Sequence, residues 1–433
     1  MDPSLLALLV FGLLFALLFF GMPLAFAMLV PAFLGLLLLL DLRAALSLIG
    51  STAYETGKTY DLSVLPMFLI MGQIASSAGL SERMYRCANA WLCHRRGGLA
   101  HSTVAGSAIF AAICGSNIAT AVTMCKVALP QMRAAKYDLG FATGAIAGGG
   151  TLGILIPPST LAVLYGILTD TSIIDVLMAG TIPGIILTIF FMISISIVTR
   201  LHPEWAPIRP RAEWSERIDA TIGALPSFGL ILVVICGLYF GVFSPTEGAS
   251  VGACGALILA VANRKYSWLA LVTDLVETAK LTAMIFTILI GAFLFNNFLV
   301  IAGIPNLVAG WFAALTFGKL GVLLLIIVIY IFLGAVMDEL AMVLLTLPIF
   351  FPILMKLGYD PVWFGIVLTV LVEMGMICPP VGILVFVIKG LAPDVPIERI
   401  YAGIFPYLYS CGVLIVLLII WPDIALWLPS TMR

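Results

Sequence analysis

The chain has 433 residues, of which 62% are hydrophobic and only 10% are charged. A water-soluble domain carries about 25% charged residues, so these few charges cannot cover the surface of a soluble globule. The net charge of −1 offers no basic surface to a nucleic acid. Composition therefore predicts an all-α polytopic membrane protein whose surface lies mostly in lipid.

Apolar segments long enough to cross a bilayer begin at the N-terminus. Residues 5–20 and 24–40 form a pair around a Gly-Met-Pro turn, and residues 62–78 form the third span. We expect a charged loop at 81–101 to follow. Lys and Arg in this loop and in the loops on its side outnumber those on the other side, which predicts that it faces the cytoplasm.

The next two apolar segments are interrupted in the middle. Residues 103–130 break at Gly115-Ser116-Asn117, and each arm is too short to cross the bilayer. We therefore expect a re-entrant hairpin at about 102–134 that opens to the cytoplasm. The following helix, 139–168, is expected to break at Gly148-Gly149-Gly150 and at Pro157-Pro158. Ordinary spans are predicted at 174–198 and 222–242, with a polar loop at 199–221 between them.

The second half of the chain repeats this order. Two spans are predicted at 248–262 and 278–298, and a short interfacial helix at 304–316. A closing span is predicted at 401–420. A second hairpin, at about 320–356, breaks at Met337-Asp338-Glu339 and is expected to open to the outside. The broken helix at 362–391 is interrupted at Pro379-Pro380.

An internal repeat relates the two halves. A shift of 222 positions aligns Pro157-Pro158 with Pro379-Pro380, Gly153 with Gly375, and Tyr137-Asp138 with Tyr359-Asp360. We predict inverted repeats at 61–200 and 271–422, with scaffold helices at 1–60, a linking loop with scaffold helices at 201–270 and a tail at 423–433. Inverted repeats with paired broken helices indicate a secondary transporter, because interrupted main chain persists in a bilayer only where it lines a cavity or binds an ion.

The breaks supply hydroxyl, amide and backbone oxygens, which are the hard ligands that Na+ prefers. The predicted sodium ligands are Gly115, Ser116, Asn117, Gly150, Thr151 and Gly153 in the first repeat, and Met337, Asp338, Gly375 and Met376 in the second. Alternatively, the glycines allow close helix packing, and Ser116 and Asn117 cap a helix. Asp338 could bind a cation or a proton, or cap the second arm. Glu373, at membrane depth, could be functional, pair with Lys280 or stay neutral.

The proline pairs are expected to begin the second halves of the broken helices, because proline is tolerated in a helical first turn. The positive ends of these helices would then face an anionic substrate. The predicted substrate contacts are Ser116, Asn117, Pro157, Pro158, Ser159, Pro379 and Pro380. Simple proline kinks are the alternative. The histidines form no metal or protease motif, so no enzyme is predicted.

The run from Gly148 to Ser159, GGGTLGILIPPS, resembles the signature of the large membrane subunit of tripartite ATP-independent periplasmic (TRAP) transporters, the DctM-like permeases. Gly375 to Gly382 resembles the second-half counterpart of that signature, and Leu333 to Asp338 resembles the outer hairpin of the family. The Gly21-Met22-Pro23 turn also fits.

The resemblance implies a sodium-driven elevator importer in a bacterial or archaeal inner membrane. Its substrate would be an organic acid anion such as sialic acid, a dicarboxylate or a keto acid. The implied partners are a separate small membrane subunit of four helices and a periplasmic substrate-binding protein. A symporter or antiporter that works without a binding protein is the alternative.

Overall fold

The computed structural model describes residues 3–263, 266–305, 307–308, 310 and 318–432. Across these residues the chain forms helices and turns and contains no β-strand, which confirms the all-α prediction. The first ten helices are α1 (Pro3–Phe19), α2 (Leu24–Leu39), α3 (Leu42–Lys58), α4 (Val64–Ser77), α5 (Leu80–Leu92), α6 (Gly98–Cys114), α7 (Asn117–Ala134), α8 (Leu139–Thr151), α9 (Thr160–Thr169) and α10 (Ile173–Ala179). They are followed by α11 (Thr181–Leu201), α12 (Trp214–Tyr239), α13 (Pro245–Ala262), α14 (Trp268–Ile301), α15 (Gly318–Gly334), α16 (Glu339–Lys356), α17 (Pro361–Ile377), α18 (Ile383–Leu391), α19 (Ile397–Ile420) and α20 (Asp423–Ser430).

Six helical stretches in the described residues are long and apolar enough to cross a bilayer. They are Ile173–Leu201, Trp214–Tyr239, Pro245–Ala262, Trp268–Ile301, Glu339–Lys356 and Ile397–Ile420. A seventh candidate is the pair Tyr60–Ser77 and Leu80–Leu92, which is bent by 64°. The chain is therefore a multi-pass membrane protein, and several of its other apolar helices are shorter than a bilayer requires.

Two predicted loops are wrong because they contain helices. The charged loop at 81–101 is largely α5, which buries Leu80, Met84 and Ala88 and leaves Arg86 exposed. The spacing of four residues is that of one helical face, which the surrounding charges obscured. The polar loop at 199–221 is shorter than predicted, because α11 continues to Leu201 and α12 already begins at Trp214. The predicted interfacial helix at 304–316 lies largely outside the described residues.

Contacts divide the chain into two compact units. The first unit comprises Met1–Ser63, Glu277–Ile329 and Leu340–Tyr359. In its core the rings of Phe11 and Phe295 meet edge to face, with 5.3 Å between their centroids. Helices α2 and α14 approach closely at Gly291, where an added Cβ would lie 2.6 Å from the carbonyl oxygen of Ala25.

The second unit comprises Val64–Val276, Tyr330–Glu339 and Asp360–Arg433. Its central contact joins α8 to α19, and glycine makes this contact possible. A Cβ on Gly144 would lie only 2.1 Å from the carbonyl oxygen of Gly403. All the predicted site residues belong to this unit, whereas the repeat boundaries at 61–200 and 271–422 stay a prediction.

The alignment at 222 positions has a local counterpart in the second unit. The carboxylate of Asp138 accepts a hydrogen bond from the N–H of Phe141 at 2.9 Å and caps α8. The carboxylate of Asp360 accepts one from the N–H of Trp363 at 3.0 Å and caps α17. Both broken helices therefore begin with the same N-terminal cap at aligned positions.

Candidate substrate and cation site

The first predicted hairpin breaks where expected. Helix α6 ends at Cys114, and Gly115 takes up the left-handed conformation with φ of +62°. The hydroxyl of Ser116 accepts a hydrogen bond from the N–H of Ala119 at 3.4 Å and caps α7. An added Cβ on Gly115 would lie 2.5 Å from the carbonyl oxygen of Pro158, so both conformation and space require glycine here.

This tip lies directly against the break in the following helix. The carbonyl oxygen of Gly115 accepts hydrogen bonds from Thr160, from the hydroxyl at 3.0 Å and from the N–H at 3.4 Å. A Cβ on Gly153 would lie 2.5 Å from the carbonyl oxygen of Ser116. The main chain of the hairpin tip therefore packs directly against the main chain of the broken helix. This contact places the N-termini of α7 and α9 beside each other.

The break itself covers residues 155–159, after a 3-10 turn at Leu152–Ile154. Pro157 and Pro158 are buried, and both lie before α9. The hydroxyl of Ser159 accepts a hydrogen bond from the N–H of Ala162 at 3.1 Å, which caps α9, and donates one to the carbonyl oxygen of Ile154. The prediction that this proline pair forms the first helical turn is thus wrong, because Ser159 has the capping role.

The predicted break at the three glycines is also wrong, because α8 remains helical to Thr151. An added Cβ at any of the three would collide with a neighbouring side chain. On Gly148 it would lie 2.3 Å from the ring of Tyr407, and on Gly149 it would lie 2.6 Å from the hydroxyl of Ser107. On Gly150 it would lie 2.7 Å from the Cβ of Ala121. These glycines therefore permit close packing of neighbouring side chains. The hydroxyl of Thr151 donates to the carbonyl oxygen of Gly148 at 2.8 Å. A role for Gly150 or Thr151 in binding sodium stays a prediction.

The second hairpin breaks over residues 335–338, between α15 and α16. Met337 and Asp338 lie half-buried in this turn. Gly375 packs against the end of α15, where an added Cβ would lie 2.6 Å from the Cα of Gly334. The N–H of Gly382 donates to the carbonyl oxygen of Ala335 at 3.4 Å. As in the first repeat, a tip and a broken helix meet through main chain.

The second broken helix is interrupted at residues 378–382, as predicted. Pro379 and Pro380 again precede the next helix, so their placement in the first turn of that helix is wrong. The hydroxyl of Tyr401 lies 2.8 Å from the carbonyl oxygens of both Pro380 and Val381. Gly382, with φ of +55°, stands at the N-cap of α18 and provides no side-chain cap.

The two hairpin tips touch each other. The side-chain amide of Asn117 is fully buried and donates a hydrogen bond of 2.7 Å to the carboxylate of Glu339. These two residues are 222 positions apart, so they are partners in the internal repeat. Glu339 was not among the predicted ligands, although the alignment that pairs it with Asn117 was the available signal.

A second acid lies close to this contact. Glu373 on α17 is fully buried, and within the described residues neither carboxyl oxygen has a hydrogen-bond partner. It interacts electrostatically with Glu339. Lys280, the partner considered for it from sequence, instead forms an ion pair of 2.7 Å with Glu277. Met376, a predicted sodium ligand one turn further along α17, is buried as well.

Most of the chain matches one family model. Residues 11–424 fit the model of the tripartite ATP-independent periplasmic transporter, DctM component. The chain belongs to this family. It is thus a TRAP transporter large permease and not an enzyme, as predicted.

Similar curated proteins are permeases of the same kind. The C4-dicarboxylate TRAP transporter large permease of Pseudomonas aeruginosa is 34% identical over 87% of this chain and 88% of its own length. The sialic acid TRAP transporter large permease of Vibrio cholerae is 30% identical over 97% of each chain. Their names cover different acids, so family membership alone does not select one.

A solved structure shares the fold of this permease. The YdaH transporter of Alcanivorax borkumensis, described as having an unusual topology, superposes with a TM-score of 0.63. The match covers 89% of this chain and 90% of the other, at 19% sequence identity. At that identity the likeness extends to the fold alone.

Proposed function

We propose that this permease imports a small organic acid anion into a bacterial or archaeal cell, across the inner membrane, by coupling the transport to Na+. The substrate class is a carboxylate, such as a dicarboxylate, sialic acid or a keto acid. A periplasmic binding protein delivers it, and a separate small membrane subunit of four helices completes the transporter. The hairpin tips and broken helices cross the bilayer together in an elevator movement.

The observation that carries the anionic substrate is the meeting of two helix N-termini. The contact between Gly115 and Thr160 holds the starts of α7 and α9 together. Each N-terminus carries a partial positive charge, so two together favour a carboxylate. The hydroxyl of Ser116 lies at the start of α7 and adds a donor there, whereas the hydroxyl of Ser159, at the start of α9, already donates to the carbonyl oxygen of Ile154.

The residues at both tips suit a hard cation. At the first tip, the carbonyl oxygen of Ser116 lies against Gly153 and accepts hydrogen bonds from the hydroxyl and the N–H of Thr120. At the second tip, Asp338 lies half-buried in the turn, and the carboxyl of Glu373, which has no hydrogen-bond partner within the described residues, interacts electrostatically with Glu339. Na+ is bound by such oxygens, and a bound cation offsets the cost of charge at membrane depth.

Sodium would act by ordering the substrate site. Oxygen atoms of the hairpin tips would bind the Na+ ion. The bound ion would then hold the tips against the broken helices. Because binding energy from the ion lowers the cost of ordering this backbone, the anion would bind more tightly after Na+ than before it.

The test is uptake into proteoliposomes that contain both membrane subunits, with the binding protein outside. We expect uptake of a labelled C4-dicarboxylate or sialic acid, whichever the binding protein retains, to require Na+. Ser116→Ala and Asp338→Ala should each raise the Na+ concentration needed for half-maximal rate. Uptake that persists when choline replaces Na+ would refute the coupling, and uptake without the binding protein would favour an independent symporter.

A further inference from the structure

A buried arginine lies far along the chain from the residues of the transport site. Arg217, in the first turn of α12, is only 1% exposed. Its Nε and Nη2 atoms have no hydrogen-bond partner, and within the described part of the chain it forms no ion pair. An unpaired buried cation is costly, so its surroundings must compensate.

Two tryptophan rings provide part of that compensation. The guanidinium of Arg217 lies 5.4 Å from the ring centroid of Trp91 and 5.3 Å from that of Trp214. The indole N–H of Trp91 donates to the hydroxyl of Thr221 at 3.0 Å, which fixes that ring. Trp214 is 64% exposed and has no such anchor among the described hydrogen bonds, although its ring meets that of Trp91 edge to face, with 6.1 Å between the centroids. A ligand would reach the buried Arg217 only by displacing this exposed ring.

Other positive charges lie close to Arg217 and Trp214. The exposed Arg211 also stacks on Trp214, at 6.0 Å from the ring centroid. Burial, followed by the charges of Arg211, Arg217 and Arg95, holds the pKa of His94 below its usual range. Three carboxylates flank Arg217 in sequence. Asp219 forms an ion pair of 2.9 Å with Arg86, and within the described residues neither Glu213 nor Glu216 forms one with Arg217.

An apolar surface continues from the tryptophan along α12. Ile218, Ile222 and Leu225 are 56%, 62% and 62% exposed. Their spacing of four and three residues places them in one stripe on the helix. Tryptophan is enriched where a membrane protein passes from the hydrocarbon region to the headgroups, so Trp214 marks the headgroup level and the stripe lies at the depth of the acyl chains.

We propose that Arg217, Arg211, Trp91 and Trp214 form a binding site for an anionic phospholipid, with its phosphate at the two arginines and an acyl chain along Ile218, Ile222 and Leu225. The arginines supply charge-assisted hydrogen bonds to phosphate, which suit the guanidinium geometry. The apolar stripe distinguishes a lipid from a free anion, since a free anion would gain nothing from it. Basic residues at this level attract anionic lipids in general, and the buried arginine adds a specific contact.

The test uses the purified full-length permease in nanodiscs. Two titrations are compared, one with phosphatidylglycerol and one with phosphatidylcholine, each with brominated acyl chains. Quenching of tryptophan fluorescence is recorded as the brominated lipid is added. We expect quenching by phosphatidylglycerol at a concentration about tenfold lower than by phosphatidylcholine, as one charge-assisted contact would give. Equal quenching by both lipids in the unmodified protein would overturn the proposal without any variant.

Variants then locate the site. Arg217→Gln should remove the preference for phosphatidylglycerol, whereas Arg217→Lys should retain part of it. Arg86→Gln is the matched control, because it removes an exposed positive charge from the adjacent helix α5 and should leave the preference intact. A preference that survives Arg217→Gln in correctly folded protein would refute the assignment.

Two further arms identify the occupant. Glycerol phosphate at millimolar concentration should not displace the lipid; displacement would assign the site to a soluble anion and overturn the lipid proposal. Loss of the preference on adding the small membrane subunit would assign this face to that protein and overturn the proposal likewise. Neither result depends on transport, so this inference and the proposed function can fail separately.

Discussion

The two hairpin tips are built alike but differ in chemistry. The first interruption, Gly115 and Ser116, is two residues long, and it presents the neutral side chains of Ser116 and, at the first position of α7, Asn117. The second interruption is four residues long and presents Asp338 and, at the first position of α16, Glu339. One tip therefore offers helix dipoles and neutral oxygens, whereas the other offers carboxylates.

This difference suggests a division of roles within one site. We infer that a substrate carboxylate is favoured beside the positive start of α9, because Asn117 at the start of α7 already contacts the carboxylate of Glu339. A cation is favoured near the acidic tip, where it offsets charge at membrane depth. The hydrogen bond between Asn117 and Glu339 joins the two regions. We therefore expect a change of conformation or occupancy at one tip to affect the other.

The largest effect is expected from the backbone contact at the first tip. Gly115→Ala forces an alanine into the left-handed region, at about 1–2 kcal/mol, and also places its Cβ 2.5 Å from the Pro158 carbonyl oxygen. Uptake in proteoliposomes should fall by more than tenfold. The control is Gly79→Ala, because Gly79 has φ of +75° but open space around its Cβ position. Equal loss in both variants would show that conformation alone, and not contact with the broken helix, explains the effect.

The contact between the tips should give the next largest effect. A hydrogen bond to a charged group contributes about 1.5–3 kcal/mol, so Asn117→Leu or Glu339→Leu should raise the half-maximal Na+ concentration roughly tenfold. The double variant should be no worse than the worse single variant, because both break one contact. Glu339→Gln should fall between wild type and the leucine variants, since its amide oxygen still accepts from Asn117 but carries no charge. Strictly additive effects in the cycle would mean that the tips act independently.

Removal of the helix cap at the two aligned aspartates is expected to lower stability by the same amount in both repeats. Asp138→Ala and Asp360→Ala each remove the cap of a broken helix, at about 1 kcal/mol. In a chain of this size we expect each to lower the melting temperature in detergent by about 1–2 °C. Asp138→Asn and Asp360→Asn should retain the cap and serve as controls. A loss at one aspartate only would show that the two helix starts are not equivalent.

The sequence was sufficient to locate four interruptions. Arms too short to span a bilayer and the Pro-Pro pairs indicated those at 115–116, 155–159, 335–338 and 378–382, but not the bend of 64° between Ser77 and Leu80, and the family motif identified the transporter. The glycine run was misread, because three consecutive glycines favour a break by propensity alone. In the fold, Tyr407, Ser107 and Ala121 occupy the space that side chains would need, and this tertiary packing keeps α8 helical.

Contacts between distant segments were beyond sequence reasoning. The alignment at 222 positions pairs Asn117 with Glu339, but an alignment states equivalence and not proximity. Only the folded second unit shows that these equivalent residues face each other at 2.7 Å. Arg217 was likewise read as one charge in a solvated loop, because burial between Trp91 and Trp214 depends on how α5 and α12 pack.

The smallest effect is expected from an ion pair at the far end of the first hairpin. Arg133, in the last turn of α7, contacts Asp394 at 2.7 Å, and this hydrogen bond holds the pKa of Asp394 below its usual range. A lowered pKa in the folded state stabilises the fold above the unfolded value of about 3.9, and this stabilisation is lost as pH falls through the folded value. Asp394→Asn should therefore lower the melting temperature slightly at pH 7 and not at pH 2. Because both side chains are more than a third exposed, salt should weaken the effect. Within the described residues, no ion pair is present at the end of α16, the corresponding helix of the second hairpin. Lys356→Met should therefore leave the melting temperature unchanged. A salt-sensitive decrease in this variant would contradict the difference between the two hairpins.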